Sequence, residues 1–172
     1  MKAEELRAIQ APIKQRYRDD PATALTPARA EGVLELDGIV CNVRVWKGQT
    51  EAGLHPAGGG DGTKACSADM LLEALVGCAG VTLAAVATAM GIPIRGGKVI
   101  AEGHWDARGT LGVDRNAPVG ITDIALKFEI DSDAEPDKIA RMVQMAERYC
   151  VIAQTLQHPP KITMSHSVAG AG

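Results

Sequence analysis

The four cysteines are the residues of this chain best suited to covalent chemistry, because a thiolate is both a nucleophile and a redox centre. No two of them form a Cys-x-x-Cys pair, which excludes a zinc ribbon and a thioredoxin motif. Cys41 fits the inward face of a predicted strand, and Cys66 precedes a predicted helix. Cys78 and Cys150 lie on two long predicted core helices, which must pack near each other. Each alone would be a small core residue, but two thiols meeting in one pocket could cycle between dithiol and disulfide.

Other chemistry is less well supported by the sequence. The histidines are scattered without an i, i+4 pair, so we expect no metal site; they are His55, His104, His158 and His166. His55 and Cys66 flank a glycine-rich segment and could form a Cys–His nucleophile, but no third group that would orient them can be named. Glu73 is interpreted as a charge that reaches solvent or a partner chain, and the alternative is an acid with a raised pKa.

Composition sets the class of protein. The chain has 172 residues, of which 46% are hydrophobic, and this fits one soluble globular domain. A net charge of −3 and an aromatic content of 3% argue against nucleic acid as a partner. The charged start at residues 2–5 is unlike a secretory signal, and the apolar run at residues 74–90 is shorter than a bilayer span. We therefore expect a cytoplasmic protein without membrane association, whose cysteines are thiols.

The elements that would position the cysteines follow from periodicity and turn signals. Residues 2–20 predict an amphipathic helix that Pro12 breaks or kinks. Strands at 33–36 and 39–45 flank Asp37-Gly38, a favoured hairpin turn. The segment 47–65 predicts a flexible surface loop, with a lid as the alternative. A helix over 68–90, capped by Ser67 and ended by Gly91, is so apolar that we expect it to be enclosed on nearly every side.

The second half predicts two more strands, a helix and a last strand. The strands lie at 99–105 and 124–130, and the helix begins near Pro136 and runs to about Cys150. Alternation at 162–166 predicts a short final strand, followed by a frayed tail. Antiparallel strands separated by two long central helices predict the α+β class.

Two of these segments resemble one family. Residues 69–78, from Asp69 to Cys78, resemble the first cysteine helix of the OsmC/Ohr family (osmotically inducible protein C and organic hydroperoxide resistance protein). Residues 146–151, around Cys150, are similar to its second cysteine helix, and the order of elements also matches. The resemblance covers about residues 29–168. It divides the chain into an N-terminal helical extension at 1–28 and an OsmC-like domain at 29–172.

The resemblance implies an intertwined homodimer and a thiol-dependent peroxidase that acts in oxidative stress defence. Cys78 would attack an organic hydroperoxide and become a sulfenic acid, and Cys150 would condense with it to an intramolecular disulfide. An external dithiol reductant, lipoyl-type in the hydroperoxide-resistance branch, would restore the thiols, and no bound cofactor or metal is expected. The substrate pocket is expected to be apolar, along the helix face of Leu71, Leu75, Cys78 and Thr82. The alternative is a non-catalytic protein of the same fold that binds a small apolar ligand.

The same resemblance assigns Arg29 and Asp69 to the site. Arg29 lies eight positions before the Asp37-Gly38 turn and would lower the pKa of Cys78, although a solvated surface charge is the plainer interpretation. Asp69 would replace the family glutamate, which is Ala68 here. The family pattern Cys-Pro-x-Ser around the second cysteine is changed to residues 150–153, Cys-Val-Ile-Ala. This removes a hydroxyl that could bond the resolving sulfur and indicates a divergent branch.

Overall fold

The computed structural model describes residues 1–35, 39–45 and 48–168. The first element is helix α1 (Ala3–Asp19), followed by a short 3-10 helix at Pro21–Ala24. Helix α1 continues through Pro12, so the predicted break is wrong. Proline removes one backbone hydrogen bond, and because no residue of α1 is buried, the freed carbonyl can bind water instead. Helix α1 contacts the long helix at Ser67–Met90.

The next three strands form one antiparallel sheet. Strands β1 (Glu31–Glu35) and β2 (Val40–Val45) pair with Glu35 opposite Val40, and β3 (Gly48–Ala52) pairs with the other edge of β2. The Asp37-Gly38 turn lies outside the described residues. The predicted loop at 47–65 is wrong over β3, because backbone pairing with β2 overrides the polar composition of the strand. The rest of this segment contains a 3-10 helix at Pro56–Gly58.

Helix α2 (Ser67–Met90) is the long apolar helix that the sequence predicts. Its N-cap is Cys66, so Ser67 is the first helical residue and not the cap. Gly91 ends it with φ +67°, the left-handed conformation that glycine adopts without strain. The expectation that α2 is enclosed on nearly every side is wrong for the single chain, because Val81 is 73% exposed and only one face packs on the core.

The second half supplies the sheet and helices on which α2 packs. Strands β4 (Gly96–Trp105) and β5 (Ile121–Asp131) form a two-stranded antiparallel sheet, joined by a segment with the short helix α3 (Ala107–Thr110). Helices α4 (Pro136–Tyr149) and α5 (Val151–Gln157) follow, and Cys150 lies at the corner between them. The predicted strand at 162–166 is wrong, since residues 158–168 have no regular structure and pair with no strand in the described chain.

Two buried clusters pack one face of α2 against the sheet and helices α4 and α5. The first centres on Met142 and Ala146 of α4, which are 0% exposed and pack against the C-terminal half of α2. The second joins the N-terminal half of α2 to α5; its buried members are Leu75, Ala79, Cys150 and Ala153. Antiparallel sheets with two long central helices confirm the predicted α+β class.

Candidate functional site

Helix α2 and the α4–α5 corner bring Cys78 and Cys150 together, although 72 positions separate them in the sequence. Cys78 lies one turn after Leu75 on α2 and packs against the second buried cluster, which contains Cys150. The two side chains are in hydrogen-bonding contact, and both are free thiols. The structure therefore provides the juxtaposition that disulfide chemistry requires.

The two thiols differ in access to solvent. Cys150 is 0% exposed, whereas Cys78 is half-buried. Cys78 is therefore the less enclosed of the two thiols, while the core encloses Cys150.

Hydrogen bonds make Cys78 the more acidic thiol. Burial has the largest single effect and by itself raises the pKa of Cys78, because it disfavours the thiolate. The backbone N–H groups of Ile152 and Val151, at the start of α5, donate to the Cys78 sulfur, and the Cys150 thiol donates as well. The Thr82 hydroxyl also lies against this sulfur, and it bonds the Cys78 carbonyl at 2.8 Å. Together these bonds hold the pKa of Cys78 below the ordinary cysteine value.

The pKa of Cys150 moves in the opposite direction. Burial raises it most, and the neighbouring Cys78 raises it further, because a thiolate at Cys78 disfavours a second negative charge. The N–H of Ala153 donates to the Cys150 sulfur at 3.4 Å and opposes this shift only in part. When the pair loses one proton, the thiolate therefore forms at Cys78 and Cys150 stays a thiol.

These backbone donors are the part of the site that sequence reasoning missed. The change to Ala153 removes the family hydroxyl, but the N–H of the same residue bonds the sulfur instead. Val151 follows Cys150 directly and has an N–H group, which proline lacks. The departure from the family pattern thus adds a donor to Cys78. Every residue except proline has a main-chain N–H, so residue types do not predict which of them donates to a sulfur. Only the change from the family proline to Val151 indicated an additional donor.

The structure does not bring Arg29 or Asp69 to the cysteines within the single chain. The Arg29 guanidinium donates to Glu31 at 2.6 Å, and its side chain is 83% exposed. Asp69 lies in the first turn of α2 and is exposed. The groups that lower the pKa of Cys78 are hydrogen-bond donors without charge.

A cavity of about 510 Å³ lies beside the cysteines, between β5 and the helices. Its floor is apolar, and Thr122, Asp123, Glu147 and Gln157 supply its polar groups. Leu75 and Ala153 belong both to the cavity wall and to the cluster around Cys150. Of the helix face predicted to line the pocket, only Leu75 does so, and neither cysteine sulfur lies on the wall.

The other candidate sites, a Cys–His nucleophile, an acid at Glu73 and a metal site, are not formed in the described structure. His55 caps the 3-10 helix at Pro56–Gly58 through Nδ1 and packs edge-on against Trp105, while Cys66 caps α2. Glu73 is exposed, as its plainer interpretation requires. Within residues 1–35, 39–45 and 48–168, no group of three or more His, Cys, Asp or Glu side chains is arranged to hold a metal ion.

Helix α2 is long and apolar enough to cross a membrane, by length and composition only, whereas the apolar run at residues 74–90 is expected from the sequence to be too short. In the structure α2 packs against β4, α4 and α5.

Comparison with known proteins identifies the fold. The chain is similar to an OsmC-like protein from Mycoplasma pneumoniae, with 21% identity, a TM-score of 0.65, and coverage of 78% of this chain and 89% of the other. An organic hydroperoxide resistance protein OsmC from Legionella pneumophila matches with 15% identity, a TM-score of 0.60, and coverage of 77% and 90%. The organic hydroperoxide resistance protein OhrB of Bacillus subtilis matches with 14% identity, a TM-score of 0.52, and coverage of 78% and 93%.

At these identities the structural matches establish the fold alone. No curated protein sequence matches the chain significantly. The family model for OsmC-like proteins, however, matches residues 59–165, which include both cysteines, α2 and both helices at the second cysteine. With a match over more than half of its length, the chain belongs to the OsmC-like family.

Proposed function

We propose that the protein is a thiol-dependent peroxidase that reduces organic hydroperoxides in oxidative stress defence. The observation that carries this proposal is the asymmetric pair: Cys78 is half-buried and has a lowered pKa, and the fully buried Cys150 contacts it. Family membership supports the reaction class, since two fold neighbours are named as hydroperoxide resistance proteins.

The reaction begins at the Cys78 thiolate, which attacks the terminal oxygen of the hydroperoxide. The O–O bond breaks, the leaving alkoxide takes a proton to become the alcohol, and Cys78 becomes a sulfenic acid. The Cys150 sulfur then bonds to Cys78, Cys150 gives up its proton, and the sulfenic oxygen leaves as water. The peroxide gains two electrons, and the two thiols become one disulfide.

Regeneration needs an external dithiol of the lipoyl type, which supplies two electrons and two protons. The backbone donors at Val151 and Ile152 stabilise the starting thiolate, so the first step requires no bound metal or cofactor. The apolar cavity favours hydroperoxides with alkyl or lipid chains over hydrogen peroxide, because Leu75 places it beside the reacting pair.

The same proposal includes a homodimer. The single chain exposes 13203 Å² of surface, whereas a compact monomer of its mass, 18.0 kDa, exposes about 8,000 Å². Every residue of β1 is exposed, and Val33 and Leu34 remain 64% and 72% accessible. A second copy of the chain that covers β1 and the open face of α2 would bury this apolar surface.

Arg29 and Asp69 have roles in this proposal only through the second copy. Within one chain Arg29 reaches Glu31 and not Cys78. In an intertwined dimer, Arg29 of one subunit would approach Cys78 of the other and add a positive charge near its thiolate. Asp69 would then hold the guanidinium in place.

One observation favours the alternative function, a non-catalytic protein that binds a small apolar ligand. The 510 Å³ cavity has an apolar floor, and neither sulfur reaches it. A ligand bound there would need no redox chemistry.

The test is consumption of cumene hydroperoxide with dithiothreitol as the reductant. Wild-type protein is expected to turn over, and Cys78→Ser to lose turnover. Cys41→Ser is the matched control, since it removes a half-buried thiol on β2 and is expected to retain full activity. Absence of turnover by wild-type protein with all thiols reduced would support the binding function and contradict the peroxidase.

A further inference from the structure

The sulfur atoms that would form the disulfide have different surroundings. Cys150 is fully enclosed, and its buried neighbours are Leu75, Ala79 and Ala153. Cys78 is half-buried and packs against the same cluster from its place on α2. Cys150 is therefore the more enclosed of the two residues.

Thiol–disulfide exchange imposes a direction on this pair. The incoming thiolate attacks one sulfur along the S–S axis, from the side opposite the sulfur that leaves. Attack on Cys150 would have to come through the core cluster that encloses it. The adjacent cavity provides no such path, because Leu75 and Ala153 form its wall there and no sulfur surfaces in it.

We propose, on the basis of the proposed function, that the external reductant attacks the Cys78 sulfur and that Cys150 is the leaving thiol. A thiolate of the reductant bonds to Cys78, the Cys78–Cys150 bond breaks, and its electron pair goes to Cys150, which takes up a proton. The second thiol of the reductant then attacks the reductant sulfur that is bound to Cys78. This releases Cys78 as a thiolate and leaves the reductant as a disulfide.

The properties of the two thiols support this order. Burial raises the pKa of Cys150, so after leaving it holds its proton and does not re-attack the mixed disulfide. The hydrogen bonds that lower the pKa of Cys78 make it a good leaving group in the second exchange. After the first attack, both properties favour completion of the thiol–disulfide exchange to the reduced protein.

The experiment uses full-length protein with Cys41→Ser and Cys66→Ser, so that only the two site thiols remain. Diamide forms the Cys78–Cys150 disulfide without any peroxidase activity. The oxidised protein is then treated briefly with β-mercaptoethanol, acidified, alkylated and mapped by peptide mass. We expect the mercaptoethanol adduct on Cys78 and the alkyl group on Cys150, in at least about tenfold excess over the reverse arrangement. An adduct mainly on Cys150, or equally on both, would overturn the inference.

A second measurement separates this inference from the proposed function. In the same background, Cys150→Ser leaves the Cys78 thiol and Cys78→Ser leaves the Cys150 thiol. The Cys78 thiol is expected to react with Ellman's reagent about 100-fold faster, and equal rates would count against the inference. A protein that consumes no hydroperoxide but forms the Cys78 adduct loses only the proposed function. If diamide fails to join the two cysteines, both are overturned.

Discussion

The Cys150 thiol contacts the Cys78 thiol from the inner side, and the core encloses it completely while Cys78 stays half-buried. One element, the first turn of α5, supplies N–H donors to both sulfur atoms. The contact therefore joins a half-buried thiol of lowered pKa to an enclosed thiol of raised pKa.

The Val151 N–H is expected to contribute to the acidity of Cys78. Val151 is the first residue of α5, and Cys150 before it is extended, with φ −75° and ψ 109°. This geometry accepts proline, so Val151→Pro removes the donor and keeps the helix. Because a hydrogen bond to a charged group stabilises it by about 1.5 kcal/mol or more, alkylation of Cys78 at neutral pH should slow about tenfold.

Val151→Ala is the matched control, because it keeps the N–H and removes only an exposed side chain. Iodoacetamide alkylation against pH, followed in a background without Cys41 and Cys66, measures both variants. If the proline and alanine variants give the same pH profile, the Val151 N–H has no part in activating Cys78.

The Cys150 thiol itself should acidify Cys78, since it donates a hydrogen bond to that sulfur. Cys150→Ala removes this donor, so the pKa of Cys78 should rise, and its thiolate absorbance near 240 nm should appear at higher pH. Cys150→Ser keeps a donor and should stay closer to wild type. A serine variant that titrates like the alanine variant would show that the contact is not a hydrogen bond.

The pH dependence of the peroxide reaction follows from the lowered pKa of Cys78. Because the pKa of Cys78 is lowered, the midpoint of its titration lies at lower pH than that of an ordinary cysteine, about 8.5. The rate of the first step, measured by stopped flow with excess cumene hydroperoxide, should rise with pH with a midpoint below that value. A midpoint at or above it would contradict the assigned acidity.

Leu75 is expected to be the structural support of the pair. It is 3% exposed and belongs to the cluster that encloses Cys150. Leu75→Ala should lower the free energy of unfolding by about 2–5 kcal/mol in urea denaturation. The control Leu111→Ala removes a side chain that is 55% exposed and should change it by about 0.5 kcal/mol or less. Equal effects of the two changes would contradict the packing described here.

Substitution of Arg29 tests whether a second copy of the chain contributes to the acidity of Cys78. Light scattering should give twice the chain mass of 18.0 kDa. If Arg29 of the second subunit lies near Cys78, Arg29→Gln should raise the pKa of Cys78 in the dimer and slow the first step, whereas Glu31→Gln should not slow it. A monomeric protein, or an Arg29→Gln variant with wild-type kinetics, would remove Arg29 from the site.

Local patterns were sufficient to predict most of the elements. The uncharged run of α2, the alternation of β5 and Pro136 at the start of α4 each predict their element directly. Strand β3 escaped prediction because its residues are polar, and pairing with β2 alone makes it a strand. The prediction of a final strand is wrong for the opposite reason. Apolar and polar residues alternate at 162–166 as in a strand, but this segment pairs with no sheet edge in the described chain.

The contact between Cys78 and Cys150 was predictable from the sequence, whereas the hydrogen-bond donors around it were not. Cys78 and Cys150 follow from two cysteines on helices that must pack together. The donors that activate Cys78 are main-chain groups at Val151 and Ile152, which no residue type signals. Sequence reasoning therefore looked for a cation and chose Arg29, which pairs with Glu31 within the chain.

The proposed disulfide is tested by a single turnover of fully reduced protein with one equivalent of cumene hydroperoxide and no added reductant. We expect two thiols to be lost per chain, and peptide mapping to find one disulfide joining Cys78 to Cys150 with Cys41 and Cys66 still reduced. Peroxide left unconsumed, or oxidation that reaches other cysteines while this pair stays reduced, would contradict it.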